Sequence, residues 1–221
     1  MANSPRQRNL RGHGGLLRDE IVSAASRVID GATGEAEVSL RRIAREAGIA
    51  APSVYAHFDD RDRVLEAVAE ASWEQVSDEI AEHVQAATDP RERLLIGCRI
   101  YVSFAQRHPL RYALMTQGGH MPHAARRALE TVTRGLLACR GDIPGSSGGS
   151  SSASPPSSLA EPPEVGSDPE SDRIAAALSV ALHGVAMLHR SDAPNLWLSD
   201  FSTDEVIATL VDAATLLLTQ N

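Results

Sequence analysis

All 21 basic residues of the chain are arginine, so every fixed positive charge is a planar guanidinium suited to phosphate and carboxylate oxygens. Three of them, Arg41, Arg42 and Arg45, crowd into the segment LRRIAREAG. There Leu40, Ile43, Ala44 and Ala47 recur at helical spacing and leave the arginines off the apolar face. Arg61 follows, and Arg6, Arg8 and Arg11 precede in a polar N-terminal arm. Guanidinium groups beside a short apolar stripe are the chemistry of contact with a polyanion. The same lysine-free composition is expected of a GC-rich genome, and it leaves phosphate contact to Arg, backbone amides and hydroxyls.

Other chemistry finds less support. His120 and His123, with Cys139 or nearby acids, could hold a metal, yet no second ligand pair has matching spacing and Gly118-Gly119 marks a loop. Ser179 and His183 stand at i and i+4, where nucleophile and base could meet, but no acid or oxyanion motif accompanies them. No GxSxG, phosphate-binding loop or dinucleotide glycine fingerprint occurs. Neither an enzyme nor a cofactor nor a metal is expected.

These residues need elements to position them, and the periodicity supplies helices. Leu17, Ile21, Ala24, Ala25 and Val28 trace one helical stripe that ends near Gly31 and Gly34. Ser39 stands where an N-cap is wanted before Leu40, and Gly48 where a left-handed stop is wanted after Ala47. A second short helix begins around Pro52, and Asp59 or Asp60 caps the next, which carries Val64, Leu65, Val68, Val76 and Ile80. Asp89-Pro90 opens another helix, Pro109 a short one, and residues 123–140 a further one. Ile174 to Leu188 and Val206 to Leu217 restore the pattern at the end. The expected fold class is all-α, with a three-helix head and a larger helical body. Two short helices around a Gly turn, arginines outward, make a helix-turn-helix, whose second helix can enter a DNA major groove.

Charge and composition agree with that division. Net charge is −8, but residues 1–63 hold 10 Arg against 9 acids, so the acidic surplus lies wholly beyond them. Aromatics are only 4% of residues, which leaves packing to Ala, Leu and Val. Mean hydropathy of −0.18 suits a soluble chain. The N-terminal stretch has no apolar leader, Cys98 and Cys139 are too few for a disulfide framework, and a cytoplasmic location is expected. No apolar run is expected to span a membrane. Residues 141–171 are rich in Gly, Ser, Pro and acids and are expected to form a disordered linker. The expected organisation is an arm over 1–14, a DNA-binding domain over 15–62, and an effector-binding and dimerisation domain over 63–221.

Residues 40–68, LRRIAREAGIAAPSVYAHFDDRDRVLEAV, resemble the DNA-binding domain of the tetracycline-repressor (TetR) family. The resemblance rests on the Ile43-Ala44 pair, Gly48, the Val54-Tyr55-x-His57-Phe58 core and Leu65-x-x-Val68, in the right order over about residues 15–70. It implies that Ala51, Pro52, Ser53, Tyr55, Ala56 and His57 lie on or beside the recognition helix. Tyr55 would touch phosphate or base edges, and Arg42 and Arg61 would meet the DNA backbone. Ala50 departs from the pattern, where a capping Ser or Thr is common, at a cost of about 1 kcal/mol. YVSFAQRHPLRYALM (101–115) and ALHGVAML (181–188) are similar to the subgroup with a WHG-type effector domain, with Leu182 in place of its Trp. The resemblance further implies a homodimer paired through about residues 172–190 and 203–219, double-stranded operator DNA as partner, and an unidentified small-molecule effector. Large side chains that could line an effector pocket are Trp73, Tyr101, Phe104, Tyr112, Met115, His183 and Met187. A helical dimeric adaptor or ligand-binding protein without DNA contact is the alternative.

Overall fold

The structure, a computed structural model, describes residues 14–117, 123–141, 169–188 and 200–219. The arm with Arg6, Arg8 and Arg11, the candidate ligand His120, and residues 142–168 of the low-complexity tract lie outside the described residues. Among the described residues there are nine α-helices and no strand. They are α1 (Gly14–Asp30), α2 (Leu40–Ala47), α3 (Ala51–Tyr55), α4 (Arg61–His83), α5 (Pro90–Arg107), α6 (Pro109–Thr116), α7 (His123–Arg140), α8 (Pro169–Leu188) and α9 (Thr203–Thr219). Short 3-10 turns follow α1, at Glu35–Glu37, and α4, at Val84–Ala86. Val84, at helical spacing from Ile80, falls in the second of these turns rather than in α4.

The chain divides into two compact units. The first comprises residues 1–75 together with 107–124. Its core gathers Ile21, Ala25, Val28, Ile43, Val54, Phe58, Val64 and Val68 from α1 to α4, and the half-buried Leu110 and Leu114 of α6 pack on it. This compact unit takes in α6 in addition to the residues of the expected head. A polar clamp explains why α6 joins it. Arg111, only 5% exposed, donates from Nε to Asp30 Oδ1 at the end of α1 (2.9 Å) and from Nη1 to Gln75 Oε1 of α4 (2.9 Å). His108 Nδ1 lies 3.0 Å from the same Asp30 oxygen. A buried guanidinium is tolerated only with such partners.

The second unit comprises residues 76–106 and 125–221. Leu94, Cys98 and Val102 of α5, Leu136 of α7, Leu178, Leu182 and Val185 of α8 and Ile207, Val211 and Leu218 of α9 make its core. Asp89 caps α5 by accepting from the Glu92 amide (3.0 Å). Ser202 and Glu205 exchange backbone and side-chain bonds in a capping box at α9. Gly135 allows α7 to approach α5, since a Cβ there would stand 3.2 Å from Leu94 Cδ1. Arg91 of α5 grips Asp212 of α9 through two bonds of 2.5 and 2.9 Å. That contact holds the Asp212 carboxyl below its ordinary value of 3.8, the hydrogen bond from Arg91 being the main cause.

One expectation is corrected here. α8 is long and apolar enough, by length and composition, to cross a membrane, with a mean hydropathy of 1.2 over its window. Asp172, Arg173, Ser179 and His183 interrupt the apolar residues of this helix, so no unbroken apolar run marks it in the sequence. A third of that window is buried inside the structure, where Ala175, Leu178, Leu182 and Val185 pack in the core.

Candidate DNA-binding interface

The helix-turn-helix is built by local chemistry at each of its joints. The Ser39 backbone is extended and its side chain accepts from the Arg42 amide (3.3 Å), which satisfies one orphan donor of α2. Gly48, at φ 67°, ends α2 in the left-handed region. Its amide and that of Ile49 return to Arg45 and Ala44 carbonyls at 3.2 and 3.0 Å, the Schellman closure. The chain then turns into α3, whose first residues are Ala51 and Pro52. Ala50 offers no side-chain cap. The deficit is smaller than the sequence implies, because Pro52 has no amide to satisfy and the Ser53 amide already donates to the Ala50 carbonyl at 2.9 Å.

Burial separates the faces of α3. Val54 and Phe58 are sealed in the head core at 0% and 4% exposure. Pro52, Tyr55 and Ala56 are exposed, which is the i, i+3, i+4 pattern of one outward helical face. Tyr55 is 57% exposed, a large residue for a globular head to leave in water. Ala51, Ser53 and His57 are half-buried beside that face. The structure thus brings together six of the eight residues expected at DNA.

The arginines divide into two groups. Arg41 and Arg45 are exposed on α2. Arg42 is half-buried, and its Nη1 lies 3.4 Å from Glu37 Oε2 and 3.5 Å from the Glu37 carbonyl. Glu37 is held below the ordinary carboxylate range, chiefly by the hydroxyl of Thr33. Arg61 donates from Nε to the Val38 carbonyl (2.9 Å) and from Nη2 to the Glu35 carbonyl (2.8 Å). Two of its nitrogens thus brace the turn before α2 against the start of α4. Sequence reasoning also passed over Arg18, whose guanidinium sits 5.0 Å from the centroid of the Phe58 ring, a cation–π lid on the core aromatic. It missed Arg27 too, which binds Glu46 at 2.7 Å and so ties α1 to α2. No periodicity marks either pair, because the two members of each come from separate elements of the chain.

The residues expected at an effector are divided between the two units. Trp73, Tyr112 and Met115 belong to the first unit, and Tyr101, Phe104, His183 and Met187 to the second. Phe104 and Tyr112 are fully buried and Met115 nearly so, while the Trp73 indole points to the Met115 carbonyl at 3.4 Å. The second unit has an open apolar groove of about 400 Å³ along α8 and α9, lined by Ile174, Ala177, Ala181, Leu210, Ala213 and Leu217 among others, and by none of those seven.

Of the possible reactive groups, the Ser179 hydroxyl donates to the Ala175 carbonyl (2.8 Å), an ordinary use of serine within a helix. Burial pushes the Cys98 thiol up to about 12 and also raises Cys139. Among the described residues no three His, Cys, Asp or Glu side chains converge on a common point.

Comparison with known proteins agrees with this geometry. Residues 21–68 match the family described as bacterial regulatory proteins, tetR family, and residues 94–214 match the tetracyclin repressor-like C-terminal domain. The chain is similar to the nucleoid occlusion factor SlmA of Vibrio vulnificus, 25% identical over 92 residues that make 42% of this chain and 47% of that protein. It spans about half the length of the curated relatives it matches. A protein of unknown function from Rhodococcus sp. RHA1 superposes with a TM-score of 0.64 and 25% identity, covering 94% of this chain and 97% of that one. A TetR-family transcriptional regulator from Streptomyces coelicolor shares the fold with a TM-score of 0.58 and 17% identity, over 92% of this chain and 98% of its own. With one match over the helix-turn-helix and another over more than half the chain, the protein belongs to the TetR family of DNA-binding transcription regulators.

Proposed function

We propose that two copies of this chain form a cytoplasmic repressor that binds a palindromic operator and is released by a small-molecule effector. The observation that carries DNA contact is the outward face of α3, with Tyr55 left 57% exposed on a helix whose opposite side is sealed into the head. Arg41 and Arg45 stand exposed on the adjoining helix α2, the part of a helix-turn-helix that crosses the DNA backbone. Pairing is supported by the apolar surface of the last two helices. Val180, Leu216 and Leu217 are 73%, 58% and 54% exposed, and the α8–α9 groove has the apolar lining that a second copy would cover. A dimer presents two recognition helices to successive major grooves, which lie about 34 Å apart, and a palindrome follows from its two-fold symmetry.

Effector release acts as a population shift, in which a ligand favours the arrangement that binds DNA less well. Trp73, Tyr101, Phe104, Tyr112, Met115, His183 and Met187 remain the residues proposed to meet it, the buried Phe104, Tyr112 and Met115 only after the packing around them opens. The test is binding of the purified protein to DNA from immediately upstream of its own gene, against scrambled DNA, at two salt concentrations. Specific binding that weakens with salt and is lost in Tyr55→Ala is the expected result. Equal weak binding to both DNAs at either salt would instead favour a dimeric adaptor.

A further inference from the structure

Which bases such a head can distinguish depends on the side chains its recognition helix presents. Bidentate reading of guanine needs Arg or Lys, of adenine Asn or Gln, and acceptance from cytosine needs Asp or Glu. Residues 50–57, AAPSVYAH, contain none of these six types. The outward face consists of Pro52, Tyr55 and Ala56, with Ala50 exposed just before it. Of the arginines near the turn, Arg42 leans on Glu37 and Arg61 is bonded to Val38 and Glu35, while Arg41 and Arg45 stand exposed on α2, the helix that crosses the DNA backbone rather than entering the groove. What remains is a largely apolar surface, the Tyr55 ring flanked by the small side chains of Pro52 and Ala56. The one major-groove feature that such a surface complements is the C5-methyl group of thymine. Ser53, Tyr55 and His57 can add single hydrogen bonds, which do not fix a base by themselves.

We infer that α3 selects its half-site chiefly by contact of Pro52, Ala56 and the Tyr55 ring with thymine methyl groups. The inference rests on the operator-binding reading and deepens it, naming the chemistry by which the operator is told from other DNA. Specificity then comes from burying methyl groups rather than from pairing donors with acceptors. Guanine and cytosine at the positions facing α3 are disfavoured because they offer no methyl group for that surface to bury.

The experiment selects duplexes from a random library with the full-length protein, then resynthesises the preferred site with deoxyuridine for thymine. Deoxyuridine pairs as thymine does and lacks only the methyl, and the protein is unaltered, so folding does not enter. Each contacted methyl removed is expected to weaken binding about fourfold, and a symmetric pair about fifteenfold, the worth of one and two buried methyl groups. Replacement outside the protected half-sites should change nothing. In Ala56→Gly, part of the sensitivity at one thymine should vanish, a coupling that mere loss of stability would not give. Unchanged affinity after replacement throughout both half-sites overturns the inference while operator binding stands. Failure to enrich any duplex overturns the operator reading, and the inference with it.

Discussion

Arg61 separates two roles that a guanidinium can play. Placed at the start of α4 beside a candidate DNA surface, it suits a phosphate contact by residue type alone. Its Nε and Nη2 groups are instead donated to the Val38 and Glu35 carbonyls in the turn that precedes α2, the second of which also accepts from the Val38 amide. Hydrogen bonds from a charged donor contribute about 1.5–3 kcal/mol when well formed, less at a partly exposed site such as this one. Arg61→Ala should therefore lower the urea midpoint of unfolding by the equivalent of about 1 kcal/mol. The slope of log affinity against log salt should stay unchanged, whereas loss of a phosphate contact would reduce it by about one unit. A reduced slope with unaltered stability would return Arg61 to the DNA backbone.

At the scale of elements, α3 shows how little sequence a short helix needs when its ends are held. It has five residues and no side-chain cap, yet Pro52 and the bond from the Ser53 amide to Ala50 leave few donors orphaned. Ala50→Ser should accordingly gain no more than about 0.5 kcal/mol, the low end for an N-cap. A gain near 2 kcal/mol would mean that the start of α3 is less ordered than its backbone bonds imply. The tether between α5 and α9 makes a different prediction. Because Arg91 lowers the Asp212 carboxyl below 3.8, the stability it contributes is present above that pH and is lost as pH falls through the lowered folded value. Unfolding measured across pH should show Asp212→Asn weaker than the parent at neutrality, with the difference closing in acid below the ordinary aspartate range. A difference that persists there would assign the effect to packing.

For the whole molecule, the residue types of α8 and α9 serve two purposes at once. One stripe, with Leu178, Leu182, Val211 and Leu218, lies in the core, while Val180, Leu216 and Leu217 remain in water. An apolar surface on both sides of a helix is costly unless a partner covers the second side. Leu217→Glu places a charge on that outer face without touching the core, and should convert a dimer to a monomer in sedimentation or light scattering. Affinity for a two-half-site operator should fall at least tenfold, while the binding of a single half-site is unaffected. A dimer that survives this substitution would place the interface elsewhere.

The identity of the fold was legible in the sequence because its signals are local. Ser39, Gly48 and Pro52 each do at their own position what their chemistry requires, and the stripe Leu40, Ile43, Ala44, Ala47 is buried as helical spacing demands. The outward position of Tyr55 follows from the same spacing once Val54 and Phe58 are placed inside. Tertiary structure decided what depends on groups distant in the chain. It turned Arg61 toward carbonyls some two dozen residues earlier, and drew α6 into the head through Arg111 and Asp30, residues separated by 81 positions. It also closed Tyr112 and Phe104 within packed interiors, although residue type alone made them candidate ligand contacts. Periodicity specifies which face of a helix turns inward. What that face meets is set by packing and by the desolvation of the polar groups it carries, and neither is written in any local stretch of the sequence.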